Sequence, residues 1–174
     1  RFVPEVALRK RLDSDRFLWG KSEERFFVEQ GIPEGWSEEK FRRKVVECAK
    51  GYLGCQYRWG GKAADGIDCS GVVFMVYLMN GVLIWRDADI REGYPMKAIW
   101  REGEEMCLVE ERAKAGDLLF WRGHVGMYLG DGRYLHCTGH ERVFGCRVNS
   151  LRRGDEDFRK DLAEALKVVG SVFS

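Results

Sequence analysis

From Ser37 onward the chain carries two kinds of apolar pattern, one after the other. Phe41, Val45, Cys48, Ala49 and Tyr52 recur at helical spacing behind Ser37 and the acidic pair Glu38-Glu39. A serine cap with acids in the first turn predicts a helix that stops near Gly54. A second helix is predicted over 70–80, where Val72-Val73-Phe74-Met75-Val76-Tyr77-Leu78-Met79 is apolar all round and closes at Asn80-Gly81. A helix with no polar face must be buried on every side. Residues 82–112 hold no sustained period, and one short helix is predicted near 96–101. Beyond them the period becomes two. Strands are predicted at 117–121, 124–129, 133–138 and 143–148, with glycine-containing turns between them. Phe158, Leu162, Ala165 and Leu166 suit a short amphipathic helix, and 168–173 a last strand. Helices first and an antiparallel sheet later make the fold class α+β.

Residues 1–36 break this order. Their charge is mixed, Pro4, Gly31, Pro33 and Gly35 interrupt them, and no period is sustained. They read as an N-terminal arm or the remnant of an upstream domain, leaving 37–174 as the folded domain. The chain begins at Arg1 without an apolar signal-like core, so a processed or excised piece of a longer protein is expected, and export stays open. With 29 Lys+Arg against 28 Asp+Glu the net charge is +1. No basic stripe interleaved with aromatics appears, so nucleic acid is not an expected partner. The longest apolar run is too short to span a bilayer. Six cysteines at 48, 55, 69, 107, 137 and 146 form no CxxC pair and no regular framework, which excludes a disulfide scaffold.

One of these cysteines is different in kind. Cys69 stands in Ile67-Asp68-Cys69-Ser70-Gly71, directly ahead of the second helix. There the free N–H groups and the positive end of the helix dipole favour a thiolate, and a thiolate is a nucleophile. Only three histidines exist, and two of them, His124 and His136, flank one predicted hairpin downstream. A cysteine with a base and a residue to orient that base is what a thiol hydrolase needs. Cys137, His140 and Cys146, with His136, invite a zinc site, but no CxxC pair accompanies them. No metal and no cofactor is expected.

The turn in Leu129-Gly130-Asp131-Gly132-Arg133 decides which face each histidine takes. A two-residue Asp131-Gly132 turn pairs Gly130 with Arg133 and, carried straight along the ladder, sets Met127 against His136. The histidines then point to opposite faces. A three-residue loop with Gly132 in the left-handed conformation pairs Leu129 with Arg133 and sets Gly126 against His136. Val125, Met127, Leu129, Leu135 and Cys137 now share one face, and His124, Tyr128, Tyr134, His136 and Thr138 the other. The three-residue loop is therefore expected, since a slip by one residue scrambles that separation.

These residues resemble the NlpC-type bacterial cell-wall cysteine peptidases, a papain-like family. The resemblance runs from about Phe41 to Phe173. It rests on Gln56-Tyr57-Arg58-Trp59-Gly60-Gly61, Asp68-Cys69-Ser70-Gly71, Trp85-Arg86-Asp87, Ala115-Gly116-Asp117-Leu118-Leu119-Phe120-Trp121, His124-Val125-Gly126-Met127-Tyr128-Leu129-Gly130 and Tyr134-Leu135-His136. Departures from the family's pattern are Cys55, Trp85 and Ala88, none of them in the trio. The resemblance implies a papain-like fold, with N-terminal helices and the nucleophile at a helix start packed on an antiparallel sheet. It implies Cys69 as nucleophile, His124 as general base, His136 as its orienter and Tyr57 beside the oxyanion. Trp59, Asp68 and Ser70 match positions that shape the substrate pocket, where an acid meets a free amine.

The implied reaction is hydrolysis of peptidoglycan stem peptides at the γ-D-glutamyl–diamino acid amide, in a protein that is exported, periplasmic or wall-associated. Two alternatives stay open. One is another thiol amidase or acyltransferase on the same fold, and the other a non-catalytic wall-binding module.

Overall fold

The computed structural model describes residues 35, 37–140 and 144–173. The arm expected over 1–36 lies outside the described residues, Gly35 apart.

Helix α1, Glu38–Lys50, starts where the cap pattern puts it: Ser37 Oγ accepts the Lys40 N–H at 3.2 Å. Phe41, Val45 and Ala49 are its buried stripe. Arg42 fastens the helix to the sheet side, donating to the buried Asp117 carboxylate at 2.8 Å and to the Ala115 carbonyl at 3.0 Å. Two short strands follow, β1 (Lys62–Ala63) and β2 (Gly66–Ile67), a small hairpin absent from the sequence expectation. Helix α2, Cys69–Met79, is buried almost throughout, as an all-round apolar run requires. Tyr77 ties it in both directions, edge-on to Phe41 at 5.7 Å and through its hydroxyl to the Gly116 carbonyl at 2.6 Å.

The short helix expected near 96–101 is instead strand β3, Lys97–Arg101. A six-residue helix has little to hold it in water. As a strand the segment pairs with β8, Val168–Ser171, at the sheet edge, and Trp100 is buried in a second apolar cluster. Helix α3, Cys107–Arg112, comes next. Strands β4 (Leu118–Trp121), β5 (His124–Gly130), β6 (Arg133–Thr138) and β7 (Gly145–Ser150) follow the expected order. Helix α4, Lys160–Glu164, is shorter than its pattern suggested. The six-stranded antiparallel sheet has the order β3-β8-β4-β5-β6-β7, so the last strand inserts beside β4.

The sheet is covered on both faces. Val125, Met127, Leu135 and Cys137 join α1 and α2 in the main core, whereas Tyr128 and Tyr134 pack with Trp100, Trp121, Leu151 and Leu166 in the smaller one. That separation is the one the alternation predicts. Its origin differs in detail. Gly126 opposes His136 as expected, but Gly130 pairs with Arg133, closing a two-residue turn. Asp131 (φ 52°) and Gly132 (φ 74°) both take positive φ, as such a turn demands. The register shift that saves the face assignment sits between Tyr128 and Gly130, where the strand bulges.

Candidate active site

The site is built around the start of α2. Asp68 caps the helix, its carboxylate accepting the Gly71 N–H at 2.6 Å and the Gly60 N–H at 2.7 Å. Arg86 adds an ion pair to the same carboxylate at 3.1 Å, and Ser70 lies between Arg86 and Asp68, accepting from one and donating to the other. The glycine loop must come close for this. A Cβ on Gly71 would stand 2.3 Å from the Gly61 carbonyl oxygen, so only glycine fits there. Cys69 is thereby held as the first residue of the helix, where its own N–H has no intrahelical partner.

The helix start favours a thiolate, and burial opposes it. Burial pushes the Cys69 thiol up, outweighing the N–H of Val125 and, after the opposing charge of Asp68, the N–H of Ser70, which favour the anion. Burial, with His136 and Arg159 nearby, brings His124 down to about 3. His136 falls to about 4 for the same first reason, against the bond from Asn149 that supports its charge. The resting groups are a thiol and two neutral imidazoles.

The two histidines meet. His124 Nε2 and His136 Nδ1 lie 2.8 Å apart, and His136 Nε2 is 3.0 Å from Asn149 Oδ1. Their rings stand among Trp121 and Tyr134, on the sheet face of the smaller core. Cys69 belongs to the main core, and its sulfur reaches the histidine strand at Val125, the residue after His124. Gly126 opposite His136 makes room: a Cβ there would be 3.0 Å from the Leu135 carbonyl oxygen and 3.2 Å from the His136 Cβ.

Tyr57 runs beside Ile67 and lines the cleft with Cys69. Burial, then the charges of Cys69 and Asp68, hold its phenol above the usual tyrosine range, so it keeps its proton. The cleft measures about 530 Å³ and is also lined by Trp59, Ser70, Arg86, Asp87 and Asp89. Trp59 is 85% exposed on its rim, a wall rather than core.

Thus Tyr57, Trp59, Asp68, Cys69 and Ser70 come to one cleft, and His124 and His136 form one bonded pair on β5 and β6, outside that cleft's lining. Asp68, however, has its oxygens engaged by the cap, the glycine loop and Arg86. Two contributors escaped the sequence reading: Arg86 as partner of Asp68, and Asn149 as partner of His136. For Asn149 a signal existed, since β6–β7 pairing puts Arg147 opposite His136 and Asn149 opposite Tyr134, on the histidine face. His136 has both ring nitrogens bonded within the protein, which removes it from the zinc reading.

A cysteine at the start of a buried helix, its sulfur meeting the strand that carries one of a bonded histidine pair, defines a papain-like cysteine peptidase fold. The chain belongs to the NlpC/P60 family, whose model matches residues 54–154. Dipeptidyl-peptidase 6 of Lysinibacillus sphaericus is 45% identical over 139 residues, covering 79% of this chain and 47% of that protein. A gamma-D-glutamyl-L-lysine dipeptidyl-peptidase of Bacillus subtilis is 36% identical over 119 residues, covering 63% of this chain and 37% of its own length. The chain thus spans less than half of these curated relatives. Among solved structures, the NlpC/P60 domain of the peptidoglycan hydrolase SagA superposes with a TM-score of 0.53 at 28% identity, over 75% of this chain and 97% of that one. An NlpC/P60 family protein of Bacillus cereus gives 0.59 at 24% identity, over 83% and 43%, a likeness of fold.

Proposed function

We propose that residues 37–174 are a cysteine endopeptidase domain that hydrolyses peptidoglycan stem peptides at the γ-D-glutamyl–diamino acid amide. The observation that carries this reading is the bonded pair His124–His136, with Val125, the residue after His124, meeting the sulfur of a cysteine held at a helix start. The names of two relatives, a gamma-D-glutamyl-L-lysine dipeptidyl-peptidase and a peptidoglycan hydrolase, supply the substrate class. Action at the wall, outside the cytoplasm, goes with that substrate.

In this mechanism His124 takes the Cys69 proton as the sulfur attacks the amide carbonyl. Burial raises the thiol and lowers the imidazole, so the resting groups are uncharged and the proton moves as the sulfur attacks, which is general-base catalysis. The N–H of Cys69, free at the helix start, and the Tyr57 hydroxyl donate to the developing oxyanion. His136 holds the His124 ring, the part a carboxylate takes in serine enzymes. His124 then protonates the leaving amine, and water releases the acyl-enzyme.

Substrate choice follows from which acid in the cleft is unengaged. Asp68 already serves the cap and Arg86, and Asp89 accepts the Ile90 N–H with one oxygen, so a substrate ammonium turns first to Asp87, exposed on the cleft wall. The test compares L-Ala-γ-D-Glu-L-Lys with its N-acetylated form. The free peptide is expected to have the higher kcat/KM by about tenfold to a hundredfold, one charge-assisted contact. Equal values would remove the free amine from the proposal.

A further inference from the structure

A line of polar contacts continues past the two histidines, through β7, to the loop that follows it. Asn149, 4% exposed, faces His136 Nε2 with Oδ1 at 3.0 Å and the Asp157 carbonyl with Nδ2 at 2.8 Å. We propose that Asn149 is a positioning residue that fixes the tautomers of His136 and His124 and so leaves His124 Nδ1 as the acceptor of the Cys69 proton. The proposal rests on the thiol-peptidase reading for its purpose, though not for its geometry.

Donors and acceptors decide which way the Asn149 amide faces. A backbone carbonyl only accepts, so the atom of Asn149 facing Asp157 must be the amide nitrogen. The oxygen then faces His136, and His136 Nε2 must carry the hydrogen. In a neutral ring the other nitrogen, Nδ1, holds a lone pair. That lone pair lies 2.8 Å from His124 Nε2, which must therefore be the N–H. His124 Nδ1 is left as the bare nitrogen.

Reversing the amide inverts every step. The Asn149 oxygen would meet the Asp157 carbonyl, two acceptors at 2.8 Å, and His124 would end with its hydrogen on Nδ1. A protonated Nδ1 cannot take a proton from a thiol.

The anchor is itself fixed. Ser150 N–H also donates to the Asp157 carbonyl at 3.2 Å, Arg159 N–H donates to the Ser150 carbonyl at 3.1 Å, and Arg133 pairs with the Asp157 carboxylate. The loop after β7 thus holds Asn149 in one orientation, and Asn149 hands that choice to the histidines.

Nitrogen-15 spectra of the histidine rings read tautomers without any turnover. In the wild-type protein at neutral pH both His136 and His124 are expected as Nε2–H with bare Nδ1. Asn149→Leu, which removes donor and acceptor at similar size, should give mixed tautomers and lower kcat on L-Ala-γ-D-Glu-L-Lys on the order of 10- to 100-fold. KM should stay within about twofold, because no substrate contact is lost. Asn149→Asp keeps an acceptor for His136 Nε2 and should keep the wild-type tautomer there. Nδ1–H on His124 in the wild-type spectrum would overturn the proposal, as would an Asn149→Leu variant with unchanged tautomers and kcat. If that variant does not fold, the wild-type spectrum decides alone. A wild-type protein that cleaves no stem peptide counts against the proposed function, and the ring spectra still decide this inference.

Discussion

Asp68 has more to hold in the structure than its place beside the nucleophile suggests. Beside a nucleophile it invites a part in substrate binding, yet its carboxylate caps α2, holds the glycine loop and pairs with Arg86. Removing it should therefore act on stability first. Asp68→Ala loses a cap worth about 1 kcal/mol and leaves a half-buried guanidinium without its acid, for a total near 2–4 kcal/mol. Denaturant titration measures this directly, and Asp68→Asn, which still caps, should lose less. An Asp68→Ala protein of undiminished stability with a raised KM for free-amine peptides would return Asp68 to the pocket. Cys69 carries a parallel lesson. Its place at the helix start was legible from five residues, Ile67 to Gly71, but the weight of burial against the helix dipole was not, because burial depends on strands far along the chain.

At the scale of elements, the hairpin β5–β6 decides whether a site exists. The sharing of one face by His124 and His136 was legible, since alternation of period two divides ten residues cleanly between two faces. The device that achieves it was not. The alternation points to a three-residue loop with Gly132 left-handed, whereas Asp131-Gly132 closes a two-residue turn and the extra residue sits in the strand between Tyr128 and Gly130. Strand β3 was hidden for another reason: Lys97–Arg101 is extended because β8 pairs with it, and a local window holds no trace of that partner. Gly126 offers a test of the hairpin. Its backbone φ suits any residue, but an added Cβ meets the Leu135 carbonyl oxygen and the His136 Cβ at 3.0 and 3.2 Å. Gly126→Ala should push β5 and β6 apart by a few tenths of an ångström, cost roughly 1–2 kcal/mol of stability and lower kcat by about tenfold. Full activity with unchanged stability would mean that the close approach at this pair is not needed.

Over the whole molecule, a sheet covered on both faces buries His136 and half-buries His124, and burial has a pH signature. Both rings are neutral in the folded protein down to about pH 4 and about pH 3, whereas in the unfolded chain they charge near the ordinary 6.5. Below that value the unfolded state binds more protons, so stability falls as pH falls. It is fully present above about pH 7 and declines through the window from 6.5 towards 4, at roughly 1.4 kcal/mol per pH unit for each histidine. Urea midpoints measured from pH 7.5 to 4.5 should show this slope. A flat profile would mean that the histidines are charged or exposed in the folded state.

The central claim joins these scales: a thiol placed by α2 and a histidine pair placed by β5 and β6 cut the bond after D-glutamate in a stem peptide. The most direct measurement is to incubate L-Ala-γ-D-Glu-L-Lys with the protein and with Cys69→Ala, and to weigh the products. The account predicts L-Ala-D-Glu and free lysine from the wild-type protein. The alanine variant should fold alike and turn over slower by several orders of magnitude. Cleavage by both proteins at similar rates would contradict it.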